Sequence, residues 1–193
     1  MRKLTAFMLL SLDGYFEGPN PWSLEWHNVD EEFNEFATEQ LDAHDCLVFG
    51  RATYIGMAQY WPSAEAVQTD PDVANRMNAM PKIVDSRTLV AEDVKWSNTR
   101  LVRGLDELAS IKGESGKGML LLGSSVLTAG ALEKNLLDEL RVIVVPVLLG
   151  EGNSFAQNPG HPHQLQLEST RQFRNGNVLL SYVPRPGQSA AHL

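Results

Sequence analysis

Arg51 stands one residue after a glycine that closes an apolar run, and that placement is the first sign of chemistry in the chain. Cys46-Leu47-Val48-Phe49 reads as a buried strand, Gly50 as the turn after it, and Arg51-Ala52-Thr53-Tyr54 as the start of a helix. The unpaired N–H groups and the dipole at a helix start favour an anion. Here a guanidinium and a hydroxyl stand beside them. The same grammar recurs where Met119-Leu120-Leu121-Leu122 runs into Gly123-Ser124-Ser125. Two phosphate-sized corners in one small domain point to a dinucleotide rather than to a single phosphate. A third polar loop, Ser86-Arg87-Thr88, follows another short strand. Arg51 and Arg87 could approach one phosphate from two loops, since the planar donors of arginine match phosphate oxygens. That arrangement selects NADP over NAD; the alternative is a pair of solvated surface arginines.

Other chemistries fail on spacing. Gly113-Glu-Ser-Gly-Lys-Gly118 resembles a P-loop fragment, but Gly118 stands where Ser or Thr is needed, and the stretch precedes a strand. No G-x-G-x-x-G is present, and Ser124-Ser125 lack the G-x-S-x-G elbow of a nucleophilic serine. His161-Pro-His163 has no cysteine or carboxylate cluster beside it, so no metal site is expected. Asp30-Glu31-Glu32 is a favourable first helical turn.

Those corners need a frame. The 193 residues suit one domain, with 43% apolar and 21% charged residues. A formal charge of −8 argues against a nucleic-acid partner. The single cysteine, Cys46, lies in an apolar run, which excludes an intrachain disulfide and suits a reducing compartment. No stretch is long and apolar enough to span a bilayer, and no cleavage pattern follows Met1-Arg2-Lys3, so a cytoplasmic protein is expected.

Strand patterns fall at 3–11, 45–49, 82–86, 99–102, 119–122 and 140–149, the last read as a central strand buried on both faces. Helical patterns fall after Asn28, read as a capping box with Glu31, and at 53–60, 106–111 and 125–134. Residues 63–81 read as irregular, with a short helix after Pro71. Segments 164–173 and 178–183 flank Arg174-Asn-Gly-Asn177, a hairpin signal. The order implies an α/β fold: a mixed, mostly parallel sheet flanked by helices, with a C-terminal antiparallel hairpin. One domain is expected over 1–183, with 184–193 a disordered tail.

Seven segments in one order carry a resemblance. They are Ser11-Leu-Asp-Gly-Tyr-Phe-Glu-Gly-Pro19; Gly50-Arg-Ala-Thr-Tyr54; Ser86-Arg-Thr-Leu89 with Trp96-Ser-Asn-Thr99; Gly123-Ser124; and Asp138-Glu-Leu-Arg141 with Pro146-Val-Leu-Leu-Gly150. The chain resembles the dihydrofolate reductase-like superfamily over residues 3–183. The nearest branch is the C-terminal reductase domain of bacterial riboflavin-biosynthesis enzymes. The resemblance implies NADPH as cofactor, with Gly50, Arg51 and Thr53 along its phosphates and Ser86, Arg87 and Thr88 near the adenosine phosphate. It places Gly123, Ser124 and Ser125 at the pyrophosphate and Gly150 and Gly152 in a loop on the cofactor side. Pro21-Trp22-Ser23-Leu24 is similar to the Pro-Trp-x-Leu of folate reductases, which implies that Trp22 binds substrate.

The chain departs from those reductases at His27, where they carry a helix-borne carboxylate; Glu25 and Asp30 lie out of register. Asp13, Glu25 and His27 are the candidates for the proton relay, although Asp13-Gly14 also reads as a turn pair. The expected function is NADPH-dependent reduction of a small heterocycle, ribosylamino-pyrimidine-like or pteridine-like. The alternative is a non-catalytic module that keeps the cofactor cleft. No zinc-ligand set accompanies the domain, so no deaminase partner is expected in the chain, whereas a homodimer is.

Overall fold

The computed structural model describes residues 1–155 and 162–185. Its elements, in chain order, are β1 (Lys3–Ser11), β2 (Tyr15–Glu17), α1 (Glu31–Ala43), β3 (Cys46–Gly50), α2 (Arg51–Tyr60), α3 (Ala64–Thr69), α4 (Pro71–Ala79) and β4 (Lys82–Asp85). A short 3-10 turn, Ala91–Asp93, leads to β5 (Thr99–Val102), α5 (Leu105–Lys112), β6 (Gly118–Leu122), α6 (Ser125–Glu133), β7 (Glu139–Val145), β8 (Asn153–Ser154), β9 (Leu165–Gln172) and β10 (Val178–Pro184). Eight strands form one sheet in the order β5-β4-β3-β6-β1-β7-β10-β9, and β2 pairs with β8 in a separate ribbon. The strands from β5 to β7 are parallel, and β10 and β9 are antiparallel additions.

Strand order decides where the helices go. From β1 the chain steps to β3 and on to β4; from β5 it steps back to β6 and across to β7. With right-handed crossovers, those opposite steps put the intervening helices on opposite faces. On one face, Leu41 of α1, Tyr54 of α2 and Val73 and Met77 of α4 pack on Leu47, Phe49, Val84 and Leu120. On the other, Leu108 and Ile111 of α5 and Leu127 and Ala131 of α6 pack on Leu4, Ala6, Val48 and Leu121. All five residues of β3 are buried, as the unbroken apolar run requires.

Four details differ from the expectations above. Helix α1 is capped by Asp30, whose carboxylate accepts the Phe33 N–H at 2.9 Å, and not by Asn28. Asn28 instead ties the loop to the C-terminal hairpin, donating to the Asn175 carbonyl and accepting from Asn175 and Asn177 side chains. The short helix expected after Pro71 is α4, but the stretch before it is not irregular: it forms α3, capped by the Ser63 hydroxyl. The expected long strand at 140–149 stops at Val145, because Pro146 has no N–H to give the ladder. The strand expected at 178–183 extends to Pro184, and the Arg185 N–H donates to the Gln164 carbonyl at 3.0 Å. Residues 186–193 of the expected tail lie outside the described residues.

At the amino edge of the sheet, charges are spent on the fold. Arg2 pairs with Asp45, and Lys112 with Asp138 at 2.8 Å. Lys82 is buried, donates to the carbonyls of Asn78, Met80 and Ser97, and lies over the Trp96 ring. Burial brings its pKa down to about 8.

Candidate active site

Every parallel strand ends at the same edge, and ligands of open α/β sheets bind outside that edge where strand order reverses. Here the reversal falls between β3 and β6, because α2 leaves in one direction and α6 in the other. Strand β6 ends at Leu122, opposite Phe7 of β1, and Met8–Ser11 run on beside β7 alone. A notch therefore opens above the end of β6, between Gly50 and the last residues of β1.

The two glycine corners meet in this notch. A Cβ on Gly50 would overlap the Ser124 hydroxyl, with Ser124 Cβ at 3.0 Å. A Cβ on Gly123 would approach Thr53 Cγ2 to 3.3 Å, and Gly123 has φ +60. Ser124 follows in the left-handed region, with φ 55, and its hydroxyl accepts from Leu127 N–H at 3.4 Å to cap α6. Helix α2 has no such cap: Gly50 offers no side chain to its first N–H groups. Ser124 takes the space of the missing Cβ, and the first N–H groups of α2 have no side-chain cap, which is what a phosphate needs.

The register of β3 and β4 pairs Gly50 with Asp85, so Arg51 and Arg87 leave adjacent strand ends. Both are exposed, and neither has a hydrogen-bond or ion-pair partner among the described residues. Ser86 is different. It is buried, and its hydroxyl accepts from the N–H groups of Thr88 and Leu89 at 3.2 and 2.9 Å, so it shapes the turn that presents Arg87 and the exposed Thr88. Arg103 fixes the same turn by donating to the carbonyls of Ser86 and Leu89 at 2.7 and 2.8 Å. Asp85, which motif reading passed over, sits at the strand end with its carboxyl pKa raised by burial and one oxygen unpaired.

On the far side of the notch, the loop after β1 is stitched to the loop after β7. Asp13 accepts from the Ser11 hydroxyl at 2.6 Å and from the N–H groups of Leu149 and Gly150 at 3.1 and 2.8 Å. These bonds, the serine's foremost, hold its pKa below the ordinary carboxylate value, and it stays ionised at neutral pH. Gly152 (φ +146) packs against the Glu17 carbonyl and Gly18, where any side chain would overlap backbone. Glu17 itself accepts from Trp22 N–H at 2.5 Å and from the Asn153 amide at 2.7 Å.

That stitching sets Trp22. Its backbone is in the left-handed region (φ 63), and its indole occupies the space beside Gly56 that a Cβ would need. Gly56 lies one turn along α2 from Thr53, so the ring rests on the helix that carries the first corner. Motif reading missed Gly56, although a lone glycine inside a helix is the signal for such a close approach. His27 is mostly buried, edge-on to Trp26 at 4.5 Å, and its Nε2 is buried with no partner. Burial lowers its pKa from 6.5 to about 4, leaving a neutral imidazole. Glu25 is exposed and accepts only from the Ser23 hydroxyl among the described residues. Thus Gly50, Thr53, Gly123 and Ser124 converge, with exposed Arg51 opening α2 and Ser125 opening α6, while Asp13, Gly150 and Gly152 lie in a separate clasp. His161 lies outside the described residues, and among those residues no three His, Cys, Asp or Glu side chains assemble a metal site.

The profile of the RibD C-terminal domain matches residues 2–179. The chain belongs to the RibD C-terminal domain family. The uncharacterized protein YyaP of Bacillus subtilis is 27% identical over 183 residues, 94% of each chain. The structure of a putative riboflavin biosynthesis protein from Shewanella superposes with a TM-score of 0.68 at 21% identity, covering 95% of this chain and 99% of that one. A Thermotoga maritima diaminohydroxyphosphoribosylaminopyrimidine deaminase/5-amino-6-(5-phosphoribosylamino)uracil reductase gives 0.65 at 12%, covering 95% of this chain and 57% of that one. Enterococcus faecalis dihydrofolate reductase, solved with NADP(H), gives 0.61 at 14%, covering 94% and 96%. The RibD-type, dihydrofolate reductase-like fold expected from the motifs is therefore the fold observed. No helix among the described residues is long and apolar enough to cross a membrane.

Proposed function

We propose that this RibD-type domain is an NADPH-dependent reductase of a small heteroaromatic compound. One observation carries the reading: two helix N-termini from opposite sheet faces meet at Gly50 and Ser124, with Arg51 and Arg87 on adjacent strand ends. Donor sets of this kind fit a pyrophosphate flanked by a further phosphate. Gly50, Thr53, Gly123, Ser124 and Ser125 would hold the pyrophosphate, and Arg51, Arg87 and Thr88 the adenosine phosphate. NADPH, when bound, supplies the hydride.

The chain's own work is orientation. Asp13, already ionised and engaged, positions the Leu149–Gly150 loop, with Gly152 seating that loop on β2. Trp22 offers a ring face to a planar substrate. His27 is neutral at pH 7, with its Nε2 buried and unpartnered, and exposed Glu25 stands beside it as the other candidate for the proton relay. The cytoplasm, where reduced coenzyme is plentiful, suits this activity.

The test is thermal denaturation with each coenzyme. NADPH should raise the midpoint well above the rise given by NADH, since only a ligand of the native state shifts its stability. Arg51→Ala and Arg87→Ala should each remove most of that difference, as charge-assisted bonds contribute about 1.5–3 kcal/mol. Unchanged selectivity in both variants would refute the assignment.

A second reading, a binding module without turnover, draws on His27 standing where the folate reductases carry an acid. Tight NADPH binding with no oxidation across pterins, ribosylated pyrimidines and quinones would favour it. A homodimer is also proposed. Leu10, Val144, Leu180 and Tyr182 share one sheet face and stay half-exposed, and Leu167 on the edge strand is 49% exposed. Sedimentation of wild type against Leu167→Lys tests that face.

A further inference from the structure

Asp85 ends β4 beside Gly50, an acid where the neighbouring corner residues are glycine, serine or arginine. Strand alternation fixes the face it takes. In β4, Val84 packs with α2 and α4, whereas Ile83 packs with α5 and α6, so Asp85 shares the face of Ile83. Its register partner in β5, Val102, packs on that face too. Gly50, its partner in β3, turns its missing Cβ the same way, toward Ser124 and Leu127 at the start of α6. Adjacent strands lie about 4.8 Å apart, so Asp85 stands one strand from the point where the two glycine corners meet.

The fold leaves this carboxyl unsatisfied. Its Oδ1 is buried with no hydrogen-bond partner among the described residues. Burial disfavours its charge, Arg87 and the Gly104 N–H favour it, and Glu107 opposes it, with the pKa raised on balance. Arg103, next to Gly104, is committed to the Ser86 and Leu89 carbonyls. A buried acceptor without a donor carries its full desolvation penalty, and here it does so at the ligand edge of the sheet.

Room for an outside donor lies alongside. A Cβ on Gly104, which has φ +136, would meet nothing within 4 Å. Val126, in the first turn of α6, is 83% exposed, more than any other large apolar side chain among the described residues except Met1. Asp85 itself is half-buried, and χ2 of an aspartate turns over a broad range, so its carboxyl can swing to meet an incoming group. With the pyrophosphate at Gly50 and Ser124 and the adenosine phosphate at Arg87 and Thr88, the adenosine must pass Asp85. Its sugar is held at both phosphates, and the base projects beyond them with an amine on its edge.

We propose that Asp85 is a specificity residue of the coenzyme site, its carboxyl accepting a hydrogen bond from the exocyclic amine of adenine. This rests on the coenzyme reading above and adds to it a residue that reads the base. Hypoxanthine carries an oxygen where adenine carries that amine, so the same carboxyl would face an acceptor and stay unpaired.

The experiment is titration calorimetry of the full chain with NADPH and with its reduced hypoxanthine analogue. Wild type should bind NADPH at least about tenfold more tightly than the analogue, a difference of about 1.4 kcal/mol. Asp85→Asn offers both an acceptor and a donor, so it should bind the two within about threefold of each other. Asp85→Leu should lose about tenfold in NADPH affinity and the preference with it. The wild-type ratio decides the case even where a variant fails to fold. Equal affinities in wild type, a preference kept by both variants, or undiminished NADPH affinity in Asp85→Leu would each overturn the proposal. Wild type that binds no NADPH refutes the coenzyme reading and this proposal together, whereas NADPH binding without a preference for adenine refutes this proposal alone.

Discussion

The two walls of the notch are built on opposite principles. The wall proposed for the coenzyme is backbone: glycines at 50 and 123, a left-handed Ser124, and helix ends whose donors are fixed before any ligand arrives. Its added charge is positive. The wall proposed for the substrate is side chain: half-buried Phe7, Leu9, Phe33 and Trp26, and a Trp22 seated on Gly56. The difference teaches where each specificity resides. A phosphate site can be shared by a whole family because backbone geometry tolerates sequence drift, whereas a ring cleft changes with each side chain.

The hardest way to break this contrast is to give the coenzyme wall a side chain. Gly50→Val should push Ser124 out of its cap, cost about 1–3 kcal/mol of stability through overpacking, and weaken NADPH at least a hundredfold. A chemical-denaturation curve and a calorimetric titration on the same variant would show both effects. Wild-type affinity in a folded Gly50→Val protein would mean that the phosphate does not use this corner.

The substrate wall should carry the acid sensitivity. His27 is held near 4 in the fold and returns to about 6.5 when unfolded, so the unfolded chain gains a proton first as the pH drops. Stability is complete above pH 6.5, falls between 6.5 and about 4, and stops changing from this cause below that. The loss should be on the order of 3 kcal/mol. Denaturation midpoints from pH 7.5 to 4 measure it, and His27→Leu should remove that part of the slope.

Gly56→Ala sharpens the comparison from the other side. Alanine favours the helix by about 1 kcal/mol, yet its methyl takes the space of the Trp22 ring. NADPH affinity should hold, while affinity for the ring substrate falls roughly tenfold, a loss of about 1.4 kcal/mol. The smallest effect belongs to Asp13→Ala. Amide exchange at Leu149 and Gly150 should quicken while both affinities change little, because Asp13 anchors the clasp and not the ligand.

The same division governs what was legible in the sequence. Strand–glycine–helix corners announce themselves, since an apolar run, a glycine and an open helix start are all local. The parallel sheet and the terminal hairpin were legible for that reason. Helix α4 was legible from Pro71, but α3 was not, because its six residues carry few apolar points in a polar stretch and only Ser63 marks its start. The Asp30 cap was obscured by Asn28, an equally good capping residue two positions earlier that the hairpin claims instead. Asp13 illustrates the limit at the site. Its residue type suggests proton transfer, and the bonds that make it a clasp come from residues 136 and 137 positions away.

Amide hydrogen exchange with and without NADPH tests the central claim most directly, because it reports both walls at once. Protection is expected at residues 51–54, 87–89 and 123–127, with 22–29 left essentially unchanged until a ring compound is added. Protection concentrated at 22–30, with the two glycine corners unaffected, would contradict the account.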